Sequence, residues 1–196
     1  MTRLQKYINE GSTTIFKGMD HVGEAIDLVK KDCKPYIKLV KSTRRIAIRH
    51  YSKSTDFLIK LDLRSDRLPV DTPLEMHNEF DKLFKKKFGW RVRSDGAFTW
   101  VRPLTHINTA MFFPIGKFDY IWSPIVQDLY TDYVDGDETQ EDYTPEEIVD
   151  SYKMNKGFKD IRQQEVVWRC KSYYLMRPVF PTDKNASYII QRLIEK

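Results

Sequence analysis

A chain of 196 residues, 41% hydrophobic and 31% charged, is long enough to bury a core without metals or disulfides and lies far from the composition of disordered chains. Its net charge of +5 is unevenly spread, with 19 Lys/Arg against 9 Asp/Glu from Lys30 to Arg102 and 4 against 13 from Asp119 to Glu165. The two cysteines, Cys33 and Cys170, lie too far apart in sequence for a CxxC zinc or redox motif and are expected to be reduced thiols, and no apolar run reaches the length of a membrane-spanning helix. We therefore expect one soluble α+β domain over residues 1–196 and no membrane association; the opening MTRLQKYINEG has no apolar segment of the signal-peptide kind.

In chain order, TTIFKGM (13–19) is rich in strand formers and closes on Gly18, so it is expected to be a strand ending in a turn. Val22, Ala25, Ile26 and Val29 then recur at helical spacing, with Asp20 in position to cap. RIAIRHYS (45–52) and DFLIKLDLR (56–64) alternate apolar with polar residues and are separated by few positions, which predicts two half-buried strands joined as a hairpin. Thr72-Pro73-Leu74-Glu75 has the form of a capping box with proline at the first helical position; Met76, Phe80, Leu83 and Phe84 make the apolar stripe of the helix, and Gly89 stands where a left-handed residue would end it. AFTWV (97–101), AMFFPI (110–115) and FDYIW (118–122) are short strand candidates.

The acidic VDGDETQEDY (134–143) is expected to be an exposed loop, and its spacing does not fit a calcium loop. Thr144-Pro145-Glu146-Glu147 repeats the capping-box signal and opens a helix expected to run through Met154 to Gly157. QEVVWRC (164–170) and SYYLM (172–176) are closing strands, followed by the apolar tail YIIQRLI. Strands gathered late in the chain, with few strand-helix-strand alternations, argue for α+β over a doubly wound sheet.

The spacings of several common chemistries are missing: there is no GxGxxG, GxxxxGK, HExxH or GxSxG. His21, His50, His77 and His106 are scattered, as surface or hydrogen-bonded histidines are. Three separated pieces remain. Phe16-Lys17-Gly18 ends the first strand, Arg93-Ser94-Asp95-Gly96-Ala97-Phe98-Thr99-Trp100 leads polar residues into a strand, and Arg162-Gln163-Gln164-Glu165-Val166-Val167-Trp168 leads a polar turn into a β-branched one.

In that order the pieces resemble the Arg-Ser-Glu branch of the mono-ADP-ribosyltransferase superfamily. That branch has an Arg-Gly on an early strand, a Ser-Thr-Ser-like middle strand and a Glu-x-Glu or Gln-x-Glu before a hydrophobic strand. Gln163-x-Glu165 followed by Val166-Val167 matches the last of these; Phe88-Gly89, Phe113-Pro114-Ile115-Gly116 and Trp122-Ser123-Pro124 are similar to segments of phage-encoded members. The resemblance covers a core of roughly residues 13–176 and implies a split mixed sheet with flanking helices, NAD as substrate, and transfer of ADP-ribose to a protein or nucleic-acid acceptor, in a host cytoplasm or associated with a virion and its proteins. It implies that Glu165 is the catalytic carboxylate and that Gln163 orients the acceptor. Lys17 and Gly18 would hold cofactor phosphate, and Ser94 and Thr99 would set the carboxylate's geometry. Lys17 stands where the family has arginine, and Phe98-Thr99-Trp100 where it has Ser-Thr-Ser.

Taken singly, each residue has a plainer account: Glu165 as a solvated turn acid, Lys17 as a surface charge, Thr99 as a strand former. A second reading makes the chain a non-enzymatic virion-associated or nucleic-acid-binding protein. In that reading the basic half meets phosphates while Tyr36, Tyr51, Phe57, Trp90, Phe98 and Trp100 stack on bases.

Overall fold

The computed structural model describes residues 12–51, 56–69, 72–101, 109–129, 143–177 and 183–195, with backbone alone over 183–186. In chain order the elements are β1 (Ser12–Phe16), α1 (Val22–Asp32), α2 (Lys34–Thr43), β2 (Ile48–His50), β3 (Leu58–Asp62), α3 (Leu74–Phe88), α4 (Val92–Asp95), β4 (Ala97–Trp100), β5 (Thr109–Pro114) and β6 (Phe118–Trp122), then α5 (Pro145–Ser151), β7 (Lys153–Met154), β8 (Glu165–Cys170), β9 (Ser172–Met176) and α6 (Asp183–Ile194). Helices and antiparallel strand pairs together make the chain α+β, as its sequence predicts. The chain divides into two compact units, one of Met1–Leu63, Arg102–Phe118 and Cys170–Lys196, the other of Arg64–Val101 and Asp119–Arg169.

In the first unit the strand order is β1, β3, β9, β5, β2. Every residue of β5 is buried, as expected of an inner strand lying between β9 and β2. The predicted hairpin between the second and third strands does not form: β3 pairs with β1 and β9, and β2 pairs with β5 through Ile48–Met111 and His50–Thr109. Alternation fixes which face of a strand is buried but not which strand lies beside it. Ile46, Ala47 and Ile48 are all buried, so this stretch is not the half-exposed strand its alternation suggested.

Three helices pack against one another in this unit. Of the stripe read from the sequence of α1, Ala25, Ile26 and Val29 are buried and Val22 is half-buried; α2 adds Tyr36, Ile37 and Val40, and α6 adds Ile189 and Leu193. The Tyr36 hydroxyl accepts the Ala47 N–H at 2.7 Å, and its ring meets Phe113 and Phe118 edge-on. Asp20 does not cap α1: it lies in a 3-10 turn, and the capping position is taken by His21 without a side-chain bond. The apolar tail is the last helix, its buried Ile189 and Leu193 four residues apart. Both cysteines are free and buried, and burial pushes the Cys170 thiol up to about 12.

In the second unit the order is β4, β8, β6, β7, and β4 runs antiparallel to β8 with Ala97 opposite Trp168 and Trp100 opposite Glu165. Phe80 and Phe84 of α3 pack with Trp90, Val92, Phe98, Ile121, Val167, the α5 residues Ile148 and Val149, and Tyr152 just after α5. The α3 stripe is as predicted, with Met76 and Leu83 partly buried at its margin, and Gly89 ends the helix at φ 80°. Its start differs: the first-turn cap is Pro73, and no side chain bonds the free amides, so the Thr72 signal is not used. The second capping box forms in full. Thr144 Oγ1 accepts the Glu147 N–H at 3.3 Å, and the Glu147 carboxylate accepts the Thr144 N–H at 2.8 Å. Thr144→Ala is expected to cost about 1 kcal/mol in chemical denaturation by leaving that amide without its side-chain acceptor.

This helix stops at Ser151, short of Met154. Tyr152 turns extended and buries its ring edge-on against Phe84, and Lys153-Met154 pair with Trp122 and Ile121. Of the acidic stretch only Tyr143 falls among the described residues, half exposed. Among the described residues no helix is long and apolar enough to cross a membrane.

Candidate functional site

Glu165 is the first residue of β8, where the exposed turn of Arg162 and Gln163 gives way to buried Val166-Val167-Trp168. Its N–H donates to the Gln127 carbonyl at 2.7 Å, which anchors the start of the strand. The side chain is turned inward and is 7% exposed, with Arg93 Nη1 donating to Oε2 at 3.3 Å. Burial raises the carboxyl pKa to about 7. The positive charge of Arg93 and, more weakly, of Arg67 opposes the rise, and the nearby Asp128 adds to it. A carboxylic acid that changes charge near neutrality, held beside a guanidinium, is the main chemical feature of this unit.

The arginine is itself held. Its guanidinium carbon lies 4.8 Å from the centre of the Phe98 ring, and that of Arg67 lies 4.3 Å from the same ring. The Arg67 N–H also donates to the Ser94 carbonyl at 3.1 Å, tying the segment before α3 to α4. The short helix α4 is fixed by Asp81 of α3, which is 4% exposed and accepts the Arg93 N–H at 2.6 Å, the Ser94 N–H at 3.1 Å and the Ser94 hydroxyl at 2.5 Å. A carboxylate taking up these first-turn amides acts as a cap supplied from another helix.

His77, one turn earlier on α3, has Nε2 at 3.0 Å from Ser94 Oγ and 3.5 Å from Asp81 Oδ2. Because the Ser94 proton is given to Asp81, the serine oxygen is left to accept, which assigns the histidine proton to Nε2. The other nitrogen, Nδ1, is buried with no hydrogen-bond partner. Burial lowers the His77 pKa, and the charges of Arg93, Arg67 and Arg91 lower it further against the pull of Asp81. The ring is therefore neutral. Serine, histidine and aspartate meet here, but the hydroxyl donates to the carboxylate instead of to the imidazole, so the cluster is not a nucleophile with its base. It orients Arg93.

Of the residues named from the sequence, Ser94, Thr99, Gln163 and Glu165 lie in the second unit and Lys17 and Gly18 in the first. Thr99 is fully buried; its hydroxyl donates to the Val166 carbonyl at 3.1 Å and accepts the Trp168 indole N–H at 2.7 Å. Gln163 is exposed, and its Oε1 accepts from Gln127 Nε2 at 3.2 Å. Lys17 is exposed, and its carbonyl accepts the Phe57 N–H at 3.1 Å. No protein-family model, curated protein or solved structure matches this chain.

Arg93, Arg67, Asp81 and Asp128 are the site's additions to those candidates. His77 and Asp81 carry a readable signal, a polar i, i+4 pair beside the apolar stripe of α3. Arg67 has none, since it stands outside any element, between Asp66 and Pro69. Among the described residues no group of three His, Cys, Asp or Glu side chains is placed to hold a metal.

Proposed function

We propose that the second unit carries an ADP-ribosyltransferase-type site in which Glu165 acts at the nicotinamide ribose of NAD. The observation that carries the reading is the buried Glu165 carboxyl, poised near neutrality beside Arg93. In the reaction the bond from ribose C1′ to the nicotinamide nitrogen breaks, and its electron pair leaves with nicotinamide. Positive charge develops on the ribose, where an ionised Glu165 stabilises the transition state more than the ground state. An acceptor nucleophile then bonds to C1′ and gives up a proton, which a carboxylate of this pKa takes efficiently.

Arg93 and Arg67 supply guanidiniums suited to a diphosphate. Gln163, exposed two residues before Glu165, would exchange its bond with Gln127 for one to an acceptor side chain on a protein or nucleic acid. The two hydroxyls act at one remove. Ser94 works through the Asp81 cap that sets Arg93, and Thr99 through Trp168 on the strand that Glu165 opens. The fold we infer with this function is the split mixed sheet of that superfamily in its phage-type form, working in a host cytoplasm or with a virion.

Nicotinamide release from NAD by wild type, Glu165→Ala and the isosteric Glu165→Gln tests this. Release should fall by at least about 100-fold in both variants, with circular dichroism unchanged. The absence of both binding and release by wild type at millimolar NAD would sink the enzymatic reading and leave the non-catalytic one.

A further inference from the structure

In the first unit, a groove of about 410 Å³ is lined by Lys30, Lys34, Lys38 and Lys41, with Ile37 and Leu193 beneath and Glu195 at its edge. Lys34, Lys38 and Lys41 are exposed on α2, a helix whose sequence KPYIKLVKST has no acidic residue. Like charges three and four positions apart on a helix repel, and nothing on α2 offsets them. Among the described residues of the groove's lining, Glu195 alone carries negative charge, and it lies 3.8 Å from Arg192. Lys41 Nζ donates to the Glu195 carbonyl at 3.5 Å. The floor is apolar, with Ile37 6% exposed and Leu193 fully buried.

We propose that this groove binds the phosphate backbone of a single-stranded nucleic acid without regard to base sequence. From Lys34 to Lys41 the helix rises roughly 10 Å, a line of charge longer than one phosphate and suited to several in a row. Lysine is a point charge on a flexible stem and lacks the planar fork that reads base edges, so the contacts select phosphate and not sequence. A groove of this volume is of the size that encloses a drug-sized ligand. The three exposed lysines form a single line along one helix, which follows the backbone of one strand, and their aliphatic stems accommodate sugar faces. This surface is separate from Glu165 and does not depend on the NAD reading.

The test is fluorescence anisotropy of labelled oligothymidine over a salt series. The variants are a triple groove variant (Lys34→Gln, Lys38→Gln, Lys41→Gln), a control triple on exposed lysines of α3 (Lys82→Gln, Lys85→Gln, Lys86→Gln), and Glu165→Ala. Each phosphate contact on a single strand contributes about 0.7 to the slope of log K against log salt, so the groove variant should lose about 2 from that slope. It should bind at least tenfold more weakly at low salt while circular dichroism stays unchanged. The control triple and Glu165→Ala should keep the wild-type slope. An unchanged slope in the groove variant, an equal loss in the control, or pyrophosphate binding that oligothymidine does not displace would each overturn the proposal.

Discussion

Gly96→Ala is expected to destabilise the second unit by about 3 kcal/mol or more, at the upper end of what overpacking a core costs. The backbone there is ordinary extended chain, φ −107° and ψ 151°, so the requirement is for space and not for a left-handed conformation. A Cβ at this position would stand 2.2 Å from Val167 Cγ1 and 2.5 Å from the Val92 carbonyl oxygen. The valine can rotate or be shortened, but the carbonyl belongs to the backbone of α4 and yields only if the helix shifts. Urea denaturation should show the loss, and Gly96→Ala combined with Val167→Ala should not restore stability, because the carbonyl contact persists and a cavity is added. A Gly96→Ala protein within about 0.5 kcal/mol of wild type would mean that α4 and β8 do not approach as described. Since α4 carries Arg93, the shift also draws the guanidinium away from Glu165, so nicotinamide release should fall with stability.

That crowding shows what the sequence conveys and what it conceals. The glycine is visible in Ser94-Asp95-Gly96-Ala97, yet no local pattern says that a β8 side chain lies over it. Periodicity recovered the apolar faces of α1 and α3, because burial on one face leaves its period in the chain, and FDYIW and SYYLM became β6 and β9 without change on their aromatic and aliphatic content, β9 being buried at every position. Partner choice left no such trace. The hairpin expected from proximity in sequence gave way to β3 between β1 and β9, with partners 42 to 49 residues away in β1 and 110 to 118 away in β9. The capping boxes divide in the same way. Thr144 is used and Thr72 is not, although both precede Pro and a Glu three residues on, because proline takes the capping position of α3 itself.

The same limit applies to the candidate site. Glu165 was singled out by resemblance, as the acid of Gln163-x-Glu165 before Val166-Val167, while its plainer account was a solvated turn acid; it is instead the buried first residue of β8. Its protonation was not legible, since that depends on Arg93, Arg67 and Asp128 arriving from other segments. Ser94 and Thr99 were chosen for their hydroxyls, and both are engaged: one donates to a buried aspartate, the other accepts from a buried tryptophan. A hydroxyl in sequence announces that a hydrogen bond will be made, and its partner is decided by packing.

The pKa of Glu165 makes stability depend on pH in a direction that can be worked out. A carboxyl raised from its ordinary 4.5 to about 7 binds its proton more tightly folded than unfolded. The folded state therefore holds more protons across that window, and stability falls as pH rises from 4.5 to 7, by about 3 kcal/mol in all. Glu165→Gln keeps the shape and removes the titration. Breaking the pair with Arg93 costs the variant something at every pH at which Glu165 is ionised, so the absolute stabilities of the two proteins are a poor comparison, and the change in their difference is the useful quantity. Measured by urea denaturation, the stability of Glu165→Gln relative to wild type should be level below about pH 4, rise by about 3 kcal/mol through the window and level off above it. His77, held neutral by burial, also makes stability fall in acid, but it does so in both proteins and largely cancels. A difference that stays flat would mean that Glu165 is not buried against solvent, and one that moves in favour of wild type with rising pH would mean that Arg93 outweighs burial. In the NAD reading the same proton governs the chemistry: release should climb with pH and reach a plateau above about 7, where the carboxylate is ionised and able to face the developing ribose charge.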